Sequence, residues 1–347
     1  MLYSELPKTI DSGAYRAGHC QGIAVDLRGG VIYYSFTTML VKTALDGRFI
    51  GSVTGLCGHL GCIAFNRSDG RVYGSLEYKN DAIGRGILRM LGGGIEISDA
   101  FYIAVFDAER IVRGGMDASE VMRCAYLSEV AADYAAEFTG RNGERLRHRF
   151  GCSGIDGCAI GPDFGAPDGP ESLFVAYGVY SDPSRTDNDH QVLLKYDIGE
   201  LNAAAAVLCQ DAMHRRGPQT ARAKYFIRTG NTAYGVQNLE YDRASAKYYM
   251  AVYRGEKPEY PNPPMFAAPA AAAPRKAPLE GVWPETDGLL LSLDEHGQNG
   301  LDFAYGQTGL ASLGDGYFYI SHEARHGDMQ RTTVRLYRMR GGAFVPA

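Results

Sequence analysis

GHLGCIAFN (residues 58–66) followed by DGRVYGSLEY (69–78) reads as two short apolar strands joined by a polar, glycine-containing turn. β-branched and aromatic residues fill the strands while Asn, Ser, Asp and Gly fill the turn, the division expected of an antiparallel pair. The same order stands upstream in HCQGIAVD (19–26) and GGVIYYSF (29–36): a polar head with glycine, an Ile-Ala strand, a turn, then an aromatic strand. It returns downstream in GIDGCAIGP with ESLFVAYGVY (154–180), GVQNLEYD with AKYYMAVYRGE (235–256), and TGLASLG with GYFYISHEA (308–324). The unit therefore occurs five times.

Further strand-like segments follow each pair: MLVKTALDG and FIGSV, FYIAVFDAE and VMRCAYL, QVLLKYDIG and KYFIRTG, GLLLSLDEHG and GLDFAYG, TTVRLYRM and AFV. A four-stranded sheet that repeats at this scale cannot bury its faces alone, and radial closure buries them while leaving only short edges. The expected fold is all-β, a five-bladed β-propeller of four-stranded antiparallel blades within one domain over residues 1–347. Its blades are predicted at about 19–53, 58–127, 154–230, 235–306 and 308–345. The last strand is short, so residues 3–10 are predicted to pair beside it and close the ring. Inserts fall between second and third strands at 79–100, with a short helix at 82–91, and at 181–190, 256–286 and 323–331. Segments 128–144 and 198–216 read as helical, and the tract NPPMFAAPAAAAPRKAP (262–278) as an extended loop or flap, too rich in proline for a helix.

The blade pattern resembles the β-propeller superfamily over nearly the whole chain. HCQG and GHLGCIAFN look similar to segments of bacterial propeller proteins, a resemblance that implies an architecture and no activity.

Composition narrows the function classes. A net charge of −5 without a basic cluster disfavours nucleic acid, since phosphate binding needs concentrated Lys and Arg. No apolar run reaches the length of a membrane span, so no membrane partner is expected. Glu5, Lys8 and Asp11 break up the first residues, which lack the apolar centre of a secretion signal. A cytoplasmic protein is the expectation, or an exported one if a leader has been removed. The 7 cysteines, an odd number with no CxxC pair, suit buried thiols better than a disulfide framework.

Topology then gathers the polar residues. Inner strands line the channel and neighbours run antiparallel, so the head of each inner strand and the end of each second strand share one mouth. The inner strands bring His19, Gln21, His59, Asp156, Gln237, Asn238 and Gln307 there; the second strands bring Glu77, Tyr180, Arg254, His322 and Glu323. A small-molecule or glycan ligand is the expected partner. Glu77, Asp156 and Glu323 are candidate catalytic carboxyls for glycoside chemistry, which needs an acid and a base or nucleophile facing one sugar. The other residues are candidate ligand contacts, although HCQG stands where a five-bladed sugar-cleaving enzyme usually carries an acidic motif. His59, Glu77 and His322, joined by His19 or Asp156, form an alternative divalent-metal site for phosphate or ester hydrolysis, with zinc suited to imidazole and calcium to oxygen donors. The remaining alternative is a platform that binds glycan or peptide without turnover.

Overall fold

The computed structural model describes residues 3–93, 96–210, 212–293 and 300–347. Five twisted sheets surround a channel, and the inner strand of each is the one read from the repeat: Cys20–Asp26, His59–Asn66, Cys152–Pro162, Thr232–Asp242 and Leu310–Gly314. Blades 1 and 2 follow the predicted order outward, through Val31–Phe36, Met39–Ala44 and Phe49–Thr54, and through Arg71–Tyr78, Ala100–Asp107 and Met122–Tyr126.

The ring is held by apolar packing between neighbouring blades rather than within them. Tyr33 and Phe106 share the buried cluster between blades 1 and 2, Phe101 and Tyr177 that between 2 and 3, and Phe174 packs on Tyr248 between 3 and 4. Tyr249 packs on Phe318 between blades 4 and 5, and Tyr34 and Tyr319 share the buried cluster between 5 and 1. Large aromatics suit these wedge-shaped seams because each removes much apolar surface from water.

Closure occurs as a shared edge. Met329–Arg340 of blade 5 pairs along part of its length with the N-terminal strand Thr9–Tyr15 and along the rest with Ala343–Pro346. The closing strand thus lies later than residues 3–10, and residues Tyr3–Glu5 form a 3-10 turn instead. Ile10 is buried in the seam between blades 5 and 1, which explains why an alternating TIDSGAY segment can serve.

Blade 4 departs from the sequence reading. Its third strand is Met265–Pro269, inside the Pro/Ala tract, and it is almost wholly buried. Small alanines fit a crowded seam, and Pro269 and Pro264 fall at the strand's ends, where a missing amide costs no ladder bond. GLLLSLDEHG is instead the source of Asp287–Leu291, which runs parallel to Ala223–Arg228 on the outer edge of blade 3 and pairs with Arg275–Pro278. Residues 294–297 of that segment lie outside the described residues. GLDFAYG supplies only a bridge between Met265 and Leu301. The helical segments are shorter than expected: Ser128–Ala135 gives way to a hairpin of Glu137–Thr139 with Arg145–Arg147, and the second is Ile198–Ala204. The expected loop at 323–331 is largely a continuous hairpin of Tyr317–His326 with Met329–Arg340.

The inner strands share one further feature. In four blades the register shifts near the same mouth, between Cys20 and Gly22, Leu60 and Ile63, Ile155 and Cys158, and Val236 and Asn238. A bulge leaves a residue out of the ladder and turns it toward the axis. Gln21, Asp156 and Gln237 are the residues left out. The strands also press close: a Cβ on Gly22 would stand 2.9 Å from the Cys62 Cα, so only glycine fits.

Candidate functional site

A cavity of about 470 Å³ opens at this mouth, lined by His19, Gln21, His59, Glu77, Asp156, Tyr180, Gln237 and Glu323 among the residues singled out from sequence. Its floor is a charge cluster. His59 sits directly across the ladder from Glu77, and its Nδ1 lies 3.6 Å from Glu77 Oε1 and 3.7 Å from Asp156 Oδ1. Both distances are too long for hydrogen bonds, and His59 Nδ1 is a buried atom with no hydrogen-bond partner.

Glu77 is held on every side. The Ile155 amide donates to its Oε2 at 3.0 Å, and the Lys79 ammonium lies 2.5 Å from its Oε1. Lys79 also donates to the Ser153 carbonyl at 2.8 Å, so this buried lysine is fixed by both blades 2 and 3. Gly154 makes the arrangement possible: with φ +124° it lets the backbone curl round the carboxylate, and a Cβ there would stand 1.9 Å from Glu77 Oε2.

Two carboxyls in one dry site must divide one charge between them. Burial alone would push Glu77 upward, but the Lys79 ammonium and His59 outweigh it and hold Glu77 below the usual carboxylate range. Asp156 goes the other way. Burial and then the Glu77 charge push it up to about 7, against the opposing pull of His59, Lys79 and the Gln237 amide. Asp156 is therefore the carboxyl of the pair that holds its proton to the higher pH, and Glu77 the one that ionises first. Gln237 Nε2 reaches Asp156 Oδ2 at 3.2 Å and the Tyr234 carbonyl at 3.0 Å.

The opposite wall carries the second acid. Glu323 Oε1 lies 3.4 Å from His19 Nδ1, and that contact raises the imidazole above its ordinary value despite partial burial. Between the acids stands Tyr253, pushed up to about 12 by burial and then by the charges of Glu323 and Asp156. Tyr234 and Tyr180 complete an aromatic lining. Tyr234 sits at φ +63°, a conformation that a bulky residue adopts only when its surroundings hold it there.

Four of the residues expected at the mouth do other work. His322 lies away from His59 and Glu77: its ring packs 4.0 Å from Tyr305, stacks on Tyr337 and bonds the Tyr337 hydroxyl at 3.0 Å. Burial pulls it down to about 4. Glu323 faces the cavity, so its neighbour must face the blade seam, as the pleat dictates. Arg254 turns outward to Asp302 at 2.6 Å and the Asn262 carbonyl at 3.0 Å, and Tyr253 takes its place. Asn238 is fully buried and donates to the carbonyls of Gln21 and Gln307, tying three blades across the channel. Gln307 donates to the carbonyls of Val252 and Pro264.

Sequence reasoning missed Lys79, Tyr234 and Tyr253. Lys79 carried a signal, since Glu77 and Lys79 are two apart at a strand's end and must share a face. Tyr234 carried none. His59, Glu77 and Asp156 also form the one group, among the described residues, whose imidazole and carboxylate donor atoms lie within 4.8 Å of one another in a metal-like set. Lys79 already occupies the Glu77 oxygen that such an ion would need. Among the described residues no helix is long and apolar enough to cross a membrane.

No known family matches the chain, and no curated protein does. Among solved structures it is similar to the PQQ domain of pyranose dehydrogenase from Coprinopsis cinerea, at 15% identity and a TM-score of 0.40 over 90% of this chain and 81% of that one. It is also similar to a GH43 β-1,3-galactosidase bound to galactodeoxynojirimycin, at 11% identity and a TM-score of 0.40 over 94% and 93%. The Dos1 propeller is similar at 7% identity and a TM-score of 0.30 over 91% and 77%. The chain is a five-bladed β-propeller with His19, Gln21, His59, Glu77, Asp156, Tyr180, Gln237 and Glu323 around one mouth.

Proposed function

We propose that the mouth binds a small glycoside and cleaves it by acid–base catalysis. The observation that carries this reading is the pair of carboxyls, Asp156 and Glu77, gathered beside His59 on the floor of an open cavity, with Asp156 pushed upward by burial and by the Glu77 charge. Glycoside cleavage needs a carboxyl that still holds a proton near neutral pH to give to the leaving oxygen, and an ionised partner on the other side of the sugar. Asp156 is the donor. Glu323, more exposed than Glu77 and facing the same cavity, is the base or nucleophile. Glu77 is walled in by Lys79 and the Ile155 amide, so it acts on Asp156 through its charge, as a positioning residue. Tyr180, Tyr234 and Tyr253 offer flat apolar faces of the kind that pack on the C–H faces of sugars.

The test is a panel of 4-nitrophenyl glycosides followed from pH 4 to 9. Turnover by the wild type with an alkaline fall near pH 7, reduced about 10²-fold or more in Asp156→Asn, is the expected result. Binding without turnover across the panel would favour a glycan-binding platform.

A second reading is favoured by the unpartnered His59 Nδ1 and the closeness of its two carboxyl neighbours. A divalent ion held by His59, Glu77 and Asp156 would activate water for phosphate or ester hydrolysis. It requires Lys79 to withdraw from Glu77. Metal analysis of the purified protein and of His59→Ala separates the two readings: stoichiometric metal lost in the variant supports hydrolysis through the ion.

A further inference from the structure

Beside the acid-lined cavity lies a second space of about 610 Å³, and His19, Gln21, His59 and Ile83 line both. One side is the helix α1 (Ala82–Met90), which begins where the Asp81 carboxylate accepts the Gly84 amide. Ile83, Ile87 and Met90 recur at helical spacing on α1 and line this groove. Ile83 and Met90 remain 44% and 45% exposed, an unusual way to leave two large apolar side chains beside a polar site. Thr37 and Gln330 form part of the facing wall, and the Arg16–Asp328 ion pair at 2.8 Å marks its outer end.

We infer that the groove along α1 is a subsite for the apolar portion of the ligand, so that the substrate class is an amphiphilic glycoside with an alkyl or aryl aglycone. The polar half of this inference rests on the reading of the cavity as a glycoside site. Adjacency points to the occupant: a ligand whose sugar lies over Asp156 has beside it His19 and His59, which also line the groove. An aglycone lying there covers Ile83 and Met90, whereas a second sugar would meet an apolar helix face and lose its hydrogen bonds. Asp156 and Glu323 then stand beyond the groove, against the sugar.

The test measures binding apart from cleavage, by calorimetry with octyl β-D-glucoside below its micellar concentration against methyl β-D-glucoside. Wild type, Asp156→Asn and the double variant Ile83→Ser/Met90→Gln are compared; both helix residues are exposed, so the variant keeps its fold, which circular dichroism verifies. The octyl compound is expected to bind at least about 10-fold more tightly than the methyl compound to wild type and to Asp156→Asn. That advantage is expected to vanish in the helix variant. Equal binding of the two glucosides, no binding of the octyl one, or an advantage that survives the double substitution overturns the subsite. Failure of every glycoside to be cleaved overturns the hydrolase reading alone, because this comparison needs no turnover.

Discussion

The Lys79 ammonium lies 2.5 Å from Glu77 Oε1, and both side chains are buried beneath the cavity. A buried pair of this kind gains little over an apolar pair of the same shape, but removing one partner strands a charge. Lys79→Met is expected to cost about 3–5 kcal/mol in chemical denaturation. Glu77→Gln/Lys79→Met is expected to cost clearly less than the two single substitutions summed. Additive losses would show that the two charges do not sense each other.

Asp156 gives stability an unusual pH dependence. Its carboxyl titrates at about 7 in the folded chain and near 3.9 when unfolded. Between those values the folded chain holds a proton that the unfolded chain has released, so stability falls as pH rises through this window and is level above it. Asp156→Asn cannot ionise and is expected to lack that slope. It should match the wild type at pH 4 and exceed it by a few kcal/mol, as an order of magnitude, at pH 8. Parallel stability profiles for the two proteins would contradict the assignment.

Gly154 and Gly30 both have positive φ but differ in what surrounds them. A Cβ at Gly30 meets nothing within 4 Å, while one at Gly154 collides with Glu77 Oε2. Gly30→Ala is expected to cost about 1–2 kcal/mol from backbone strain alone. Gly154→Ala should cost more and also abolish ligand binding, because it evicts the Glu77 carboxylate. Thermal midpoints and glycoside titrations of the two variants check this.

The two histidines of His19 and His322 should separate cleanly. His19→Ala removes the neighbour of Glu323 at the cavity wall and is expected to lower turnover of a 4-nitrophenyl glycoside with the fold intact. His322→Ala leaves the cavity untouched and is expected to change only stability, by about 1–2 kcal/mol for lost packing on Tyr305 and Tyr337. Loss of activity in His322→Ala with the fold intact would contradict the division.

The five inner strands were legible because each carries its own polar head, apolar strand and turn, information local to about twenty residues. The third strand of blade 4 was not. Met265–Pro269 reads as a loop by composition, and what makes it a strand is the seam that its alanines fill. Asp287–Leu291 has better strand character yet belongs to blade 3, a choice made by long-range pairing that no local pattern records. In the site, the mouth was readable from topology but side-chain direction was not. Bulges at Gln21, Asp156 and Gln237 break the alternation on which direction depends, and His322 and Glu323 are adjacent residues with opposite fates. Lys79 escaped because a lysine at a strand's end ordinarily points to water.

The clasp in blade 5 has a consequence for synthesis. Thr9–Tyr15 leaves the ribosome long before its partner Met329–Arg340. Throughout elongation the apolar faces of Ile23 and Tyr34, which Leu313 and Tyr319 finally cover, stand open beside an unpaired strand edge. A chain that has not yet made blade 5 therefore carries a sticky flank, and synthesis of that blade is the event that covers it.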